Sequence, residues 1–174
     1  MNSKQRKINT ILSDVTEYLK KKELILSTSN GEDFSESTVF LHELARRCFE
    51  RNTKVLIVKL SLVEMESLDL KFDELLNLNL EVSSNYYFDE LNLTKLSYEV
   101  ARLKHDRSED FQGNSYDLII YHIIDGLNDL VNNNRLLFAN KNLLLLIRKK
   151  NLTQNHLSEL ADKVSFERCF IVRF

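Results

Sequence analysis

The sequence predicts an α/β protein, a three-layer α/β/α sandwich with a mainly parallel sheet. Five short segments are apolar throughout instead of alternating with polar residues, and amphipathic helical segments separate them. Strands that are apolar on both faces are typical of a parallel sheet covered by helices on each side. Right-handed crossovers then give three layers. The 174 residues, 43% apolar and 29% charged, suit one soluble domain spanning residues 1–174.

The elements follow one another in the order that such a fold requires. Residues 4–19 predict an amphipathic helix, within an N-terminal segment, residues 1–21, that we expect to pack on the domain. Apolar runs predict buried strands at residues 23–28, 54–58, 116–121, 143–147 and 169–174. Apolar periodicity predicts helices at residues 36–51, at residues 126–137 and from Thr153.

The middle of the chain gives a weaker pattern. We expect a short helix at residues 72–78 and a short strand at residues 80–83. Residues 92–94 predict the cap of a helix that continues to residue 104. The aromatic run at residues 86–88 is explained either by core packing or a loop anchor, or by contact with a partner protein.

Charge and cysteine usage exclude several classes of function. With 24 basic and 26 acidic residues, the net charge is −2, and we expect neither a nucleic acid nor an anionic membrane as partner. Cys48 and Cys169 form no C-x-x-C pair, which favours a reducing compartment. The longest apolar run, residues 143–147, is far below the roughly 20 residues of a membrane-spanning helix. We therefore expect a cytoplasmic protein that does not span the membrane.

The sequence offers little catalytic chemistry. The four histidines lack zinc-binding spacing, and Ser37 has no recognisable histidine or aspartate partner in the sequence. His122 ends the third predicted strand, where α/β folds place ligands, although a structural histidine explains that position as well. We expect no catalytic residue, no metal and no cofactor.

The amino-acid sequence of the first predicted strand and the helix after it is similar to that of a known family. The segment ILSTSNGEDFSEST, residues 25–38, resembles the strand, phosphate loop and helix start ILVTSSTPGEGKST of MinD-like P-loop ATPases. Within that group, the bacterial tyrosine kinases of capsule and exopolysaccharide export have the most similar sequence in this segment. Residues 54–58, 116–120 and 143–150 resemble later strands of that family. The resemblance implies a P-loop fold whose relatives hold magnesium and ATP at the first loop.

The phosphate loop departs from the family pattern where its charge matters most. The family lysine that reaches the β and γ phosphates falls on Glu36, and this sign change is worth several kcal/mol at about 4 Å. Loop glycines fall on Asp33 and Ser35, whose side chains obstruct the backbone cradle. Ser37 and Thr38 match the magnesium-binding hydroxyl and its neighbour.

The carboxylates that complete the family's metal site are replaced too. Two aspartates after the second strand fall on Lys59 and Ser61, and the Walker B aspartate falls on His122. A shift of three residues would place Asp125 at the Walker B position instead. Phosphoryl transfer depends on electrostatic positioning around a magnesium nucleotide, so these replacements predict its loss.

The sequence thus predicts a catalytically inactive pseudo-ATPase or pseudokinase that acts as a scaffold or regulator. Through the resemblance, we expect a protein partner in polysaccharide export, either a polysaccharide co-polymerase or an active homologue, or self-association. One alternative is a divergent ATPase whose phosphate site is rebuilt from Lys59 and His122. A receiver-like signalling domain fits less well, because Lys59 and Ser61 occupy the positions of its aspartates.

Overall fold

A computed structural model describes the backbone of most predicted strands and of the central helix. The described residues are 6, 9, 10, 13, 23–28, 34–67, 69, 82–94, 116–126, 142–147, 153–155, 158, 159 and 169–173. In the first strand, the last two strands and the first three residues of the central helix, the description covers the backbone and, of the side chains, only that of Leu145. The helix predicted at residues 72–78, the one expected to continue from residues 92–94 to residue 104 beyond its cap, and the one predicted at residues 126–137, except Gly126, lie outside the described residues.

The described strands form one seven-stranded sheet. They are β1 Glu23–Thr28, β2 Val55–Leu60, β3 Ser83–Ser84, β4 Asp89–Leu93, β5 Leu118–Ile123, β6 Asn142–Ile147 and β7 Cys169–Arg173. Their order in the sheet is β3-β4-β2-β5-β1-β6-β7, and only β3 is antiparallel to its neighbour. The predicted mainly parallel sheet of a three-layer α/β/α fold is therefore confirmed, and the carboxyl ends of six strands meet at one edge.

The central helix, α1, spans Phe34–Glu50 and packs on one face of this sheet. Its apolar stripe recurs at helical spacing through Leu41, Leu44, Ala45 and Cys48, which are at most 2% exposed. These side chains pack against the inward residues of β2 and β5, namely Val55, Ile57, Leu118 and Ile120. Ser37 lies on the same stripe, one turn before Leu41, and is 1% exposed. Helical periodicity therefore places a serine hydroxyl directly over the sheet.

A Schellman motif ends α1. Asn52 adopts a left-handed backbone with φ of 59°, a conformation that asparagine tolerates better than most residues. The amide of Thr53 donates to the Cys48 carbonyl at 2.9 Å, and that of Asn52 donates to the Phe49 carbonyl at 2.9 Å. The chain then enters β2 directly, which fixes Phe49 beside the start of that strand.

The middle of the chain differs in part from its prediction. The strand expected at residues 80–83 is observed at Ser83–Ser84, as the short outer partner of β4. Asn92 and Leu93 are the last residues of β4, and Asn92 Oδ1 accepts a hydrogen bond from the Thr94 amide at 3.1 Å. The helix expected after them lies outside the described residues. Asp, Glu and Asn are rare in strands, so the sequence of β4 gave no local signal for a strand. The strand forms nevertheless, because it pairs with β2.

Helical backbone is also described at both ends of the chain. Arg6, Asn9, Thr10 and Ser13 are helical, as the predicted first helix requires, and so are Gln154, Asn155, Ser158 and Glu159 of the last. The Arg47 guanidinium donates to Asn9 Oδ1, so the N-terminal helix contacts α1. Within the described part of the chain, no helix has the length and hydropathy to cross a bilayer.

Candidate functional site

The register of β2 and β5 brings two polar side chains together at the carboxyl edge of the sheet. Val55 lies opposite Leu118 and Ile57 opposite Ile120, and both pairs belong to the core under α1. The next pair on the same face is Lys59 and His122. The face under α1 therefore changes from apolar to polar in one step, at the end where parallel α/β sheets place their ligands.

His122 and Ser37 share a hydrogen bond across the interface between the sheet and α1. The distance between Ser37 Oγ and His122 Nε2 is 2.8 Å. The two residues are 85 positions apart in the chain, and they are 1% and 0% exposed. The expectation that Ser37 has no histidine partner was wrong, because only the packing of α1 on β5 brings the two residues into contact.

The environment keeps His122 neutral. Burial, followed by the charges of Lys59 and His42, lowers its pKa from 6.5 to about 3. The interior therefore disfavours the imidazolium, and at neutral pH the ring is an uncharged hydrogen-bonding group.

Lys59 forms an ion pair within the sheet. Its Nζ lies 3.4 Å from Glu90 Oε1, a carboxylate from the neighbouring strand β4, and both side chains are largely buried, at 19% and 24% exposure. The pKa of nearby His42 is lowered by partial burial and by Lys59, while Glu90 opposes that shift. Glu90 was not among the predicted site residues, because only the β2–β4 pairing brings it to Lys59.

Ser61 and Asp125 bind the start of a short helix, α2, Leu62–Ser67. Ser61 Oγ donates to Asp125 Oδ1 at 3.2 Å and accepts from the Glu64 amide at 3.4 Å, as an N-cap serine does. The other carboxylate oxygen of Asp125 accepts the Leu62 amide. Asp125 lies beyond β5, whereas His122 lies within it, so the strand itself presents the histidine to α1.

The remaining predicted site residues belong to the phosphate-loop segment. Asp33 lies outside the described residues. Ser35 and Glu36 belong to the first turn of α1, and only their backbone is described. Thr38 follows Ser37 in the same helix and is partly buried. The structure thus brings Ser37, His122 and Lys59 together and places Ser61 and Asp125 at the adjacent helix start.

The Ser37–His122 pair has the spacing of a nucleophile and its base, but its surroundings do not suit that chemistry. Both residues are almost fully buried, so the hydroxyl is not exposed at the surface of the structure. A base with a pKa of about 3 is also far too weak at neutral pH, where catalytic bases are poised near 7.

The same residues do not fit a magnesium polyphosphate. Magnesium is bound by carboxylates, hydroxyls and phosphate oxygens, but here the hydroxyl bonds a neutral histidine and the adjacent residue is a cation. Among the described residues, no three histidine, cysteine or acidic side chains converge as metal ligands. Among the described residues, Ser37 Oγ and His122 Nε2 bond each other, and Lys59 pairs with Glu90.

Comparisons with known proteins identify the fold. No family model and no curated protein matches the sequence. Solved structures do match, including the BceF tyrosine kinase domain, with a TM-score of 0.52 and 14% identity over 93% of this chain and 73% of that one. The kinase domain of Escherichia coli tyrosine kinase ETK gives a TM-score of 0.58 and 14% identity over 95% and 74%.

A third solved structure, the chimerical protein CapA2B2, covers the most of both chains among these three. Its TM-score is 0.64, with 13% identity over 98% of this chain and 84% of that one. At such identities the likeness establishes the fold. The chain therefore has the three-layer α/β/α, P-loop-type fold of bacterial tyrosine kinase domains, as its sequence resemblance predicted.

Proposed function

We propose that this protein is a non-catalytic P-loop-fold protein, a pseudo-ATPase or pseudokinase, that acts as an interaction scaffold or regulator. The observation that supports this best is the hydrogen bond between Ser37 and His122. In the family pattern these two positions supply the hydroxyl and the carboxylate of the magnesium site. Here they bond each other, and both are buried.

The charges around this pair support the same proposal. In the family pattern an aspartate occupies the position of Lys59, and a lysine occupies the position of Glu36. Lys59 is held by Glu90 within the sheet, so it is not a free cation that could replace the missing phosphate-loop lysine. This pairing argues against the alternative of an ATPase rebuilt from Lys59 and His122.

The cellular role that we propose follows from the relatives. A protein with the fold of tyrosine kinase domains and without their phosphate chemistry is suited to bind what an active relative binds. We place it beside the machinery of capsule or exopolysaccharide export, in the cytoplasm, with a co-polymerase or an active homologue as partner. Fold alone does not assign such a pathway, so this part of the proposal rests on the family association.

Calorimetric titration with magnesium and ATP tests the loss of nucleotide binding. We expect no saturable heat up to about 1 mM ATP, which corresponds to a binding free energy weaker than about −4 kcal/mol. The ETK kinase domain, titrated in parallel, is the positive control. Saturable micromolar binding by this protein would contradict the proposal and favour the divergent ATPase.

Restoring one charge does not restore the site. We expect Glu36→Lys to leave ATP hydrolysis undetectable, because Lys59 and His122 still occupy the carboxylate positions. Thr38→Ala, a neighbouring substitution that leaves the charges unchanged, is the matched control. Hydrolysis by Glu36→Lys would show that the metal ligands come from residues other than those assigned here.

A further inference from the structure

A cavity of about 400 Å³ opens at the amino edge of the sheet, opposite the edge that carries Ser37 and His122. It lies where α1 ends and where β2 and β4 begin, because its lining includes Phe49, Val55 and Asp89. Pockets for small molecules measure about 300–1,000 Å³, so this cavity has room for one small organic molecule. Its lining residues are different from those of the candidate site described above.

Much of the cavity lining is aromatic. The ring centroid of Phe49 lies 5.5 Å from those of Tyr86 and Tyr87, and the two tyrosine centroids are 4.9 Å apart. Phe88 packs in the core, whereas Tyr86 is 76% exposed and Tyr87 37%. Asn85 holds the turn that carries them, because its amide donates to the Phe88 carbonyl at 2.8 Å and its Oδ1 accepts the Tyr86 amide at 2.7 Å. The cavity therefore has a preorganised aromatic surface.

Two residues of opposite charge, Lys54 and Asp89, also line the cavity. Tyr116, which is 4% exposed, contacts both of them. Its hydroxyl donates to Asp89 Oδ2 at 2.6 Å, and Lys54 Nζ lies 4.8 Å from the centroid of its ring. A phenol is uncharged, so neither contact cancels the charge of the group that it holds. None of the ion pairs among the described residues includes Lys54 or Asp89.

This pair of charges selects the charge of a ligand. An anion would be attracted by Lys54 and repelled by Asp89, and a cation would meet the reverse. A neutral molecule would leave both charges without an ionic partner. A zwitterion, which has one ammonium and one carboxylate, pairs with both at once. In an α-amino acid these two groups are attached to the same carbon, which suits two charges held by the same tyrosine.

We propose that this cavity binds a free amino acid with an aromatic side chain. The ligand carboxylate pairs with Lys54, its ammonium pairs with Asp89, and its ring packs on Tyr86 and Tyr87. The charge-assisted hydrogen bonds fix its orientation, and the aromatic contact buries its apolar surface. The cavity lies at the edge of the sheet opposite the proposed degenerate site, so this inference does not depend on whether the carboxyl edge binds nucleotide.

Saturation-transfer NMR of the full chain with phenylalanine tests the proposal up to about 10 mM, a range that includes weak binding of small molecules. We expect saturable binding with a dissociation constant of about 1 mM or below. N-acetylphenylalanine, which lacks the ammonium, and phenylalanine amide, which lacks the carboxylate, should each bind about tenfold more weakly. Leucine keeps both charges and lacks the ring, so it should also bind more weakly than phenylalanine.

Two variants remove the charges one at a time. Lys54→Met keeps an unbranched side chain, and Asp89→Asn keeps an oxygen that accepts the Tyr116 hydroxyl. Each should raise the dissociation constant of phenylalanine about tenfold. Lys54→Met should not weaken the binding of phenylalanine amide further, because that ligand has no carboxylate. Glu66→Gln is the matched control, because it removes a charge from an exposed position of α2, after the carboxyl end of β2.

Three results would overturn the proposal. They are no saturable binding of phenylalanine at about 10 mM, equal affinity for phenylalanine and its two derivatives, and equal effects of Glu66→Gln and the two cavity variants. The ligand series uses the unmodified chain, so it decides the question even if Asp89→Asn lowers stability, which thermal melts measure. A titration of Lys54→Met with ATP keeps this result separate from the nucleotide question.

Discussion

At the scale of single residues, the carboxyl edge of the sheet buries polar side chains that water would hydrate in the unfolded chain. His122 is 0% exposed, and its burial is made less costly because its neutral ring forms a hydrogen bond with the Ser37 hydroxyl. Lys59, next to it, pairs with Glu90, whose Oε1 lies 3.4 Å from the lysine Nζ. The result is a polar cluster held by one hydrogen bond and one ion pair between residues of different elements.

The pKa of His122 predicts how stability depends on pH. Above pH 6.5 the histidine is neutral in the folded and unfolded states, so it contributes no pH dependence. Between pH 6.5 and about 3 the unfolded chain binds a proton that the folded protein excludes. Stability should therefore fall as the pH falls, by up to about 1.4 kcal/mol per pH unit. Urea unfolding at intervals from pH 7.5 to 5 measures this slope.

Two variants isolate the contribution of His122. His122→Asn should lose most of the slope while retaining a hydrogen-bonding side chain near Ser37. His42→Asn is the control for the same window, because the pKa of His42 is lowered as well. Glu43 titrates lower, since its bonds to Arg46 and Arg47 bring its pKa to about 2. A slope that His122→Asn leaves unchanged would contradict the burial of a neutral histidine.

At the scale of elements, the loop after β5 stabilises the start of α2. Ser61 caps this helix locally, and Asp125 reaches it from a segment 64 residues later. Carboxylates at a helix N-terminus also interact favourably with its dipole. Asp125, the alternative Walker B residue in the sequence, is thus used in a structural contact.

Removal of the Asp125 carboxylate should lower the free energy of unfolding. We expect Asp125→Ala to cost about 1 kcal/mol, within the range of about 0.5–2 kcal/mol for lost helix caps. Asp125→Asn keeps an oxygen acceptor for the Leu62 amide and should cost less. Urea denaturation of both variants measures the difference, and equal stability of Asp125→Ala and wild type would show that α2 does not need this contact.

The elements also show what propensity can and cannot predict. β2 and β5 are recognisable in the sequence because both faces of each strand are buried and apolar. β4 is not, because its polar residues Asp89, Glu90 and Asn92 are accommodated by tertiary partners such as Tyr116, whose hydroxyl donates to Asp89 at 2.6 Å. Those partners lie 27 residues away, beyond the reach of local patterns.

At the scale of the whole molecule, β5 and β1 join two groups of strands. β5 pairs with β2 and with β1, and β1 pairs with β6, so the sheet is continuous from β3 to β7. One hydrogen-bonded sheet therefore includes strands from residue 23 to residue 173. We therefore propose that residues 1–174 unfold as one domain.

Cooperative unfolding tests the single-domain proposal. The chain has six tyrosines and no tryptophan, so tyrosine fluorescence and far-ultraviolet circular dichroism report on different groups. We expect their urea transitions to coincide. Leu44→Ala, which empties a 0% exposed position of α1, should move both by the same amount, at a cost of about 2–5 kcal/mol. Separate transitions would indicate two folding units.

The sequence alone predicted the fold class and named the candidate site positions, because apolar strand patterns and the sequence of the first loop are local properties of the chain. It placed Lys59 and His122 near the ends of their strands and Ser37 at the start of a helix. The tertiary structure decided what these residues touch. Strand register set Lys59 beside His122, the packing of α1 brought Ser37 to the histidine, and the β2–β4 pairing supplied Glu90. Contacts between residues far apart in the chain depend on how its elements pack, and no local pattern encodes that.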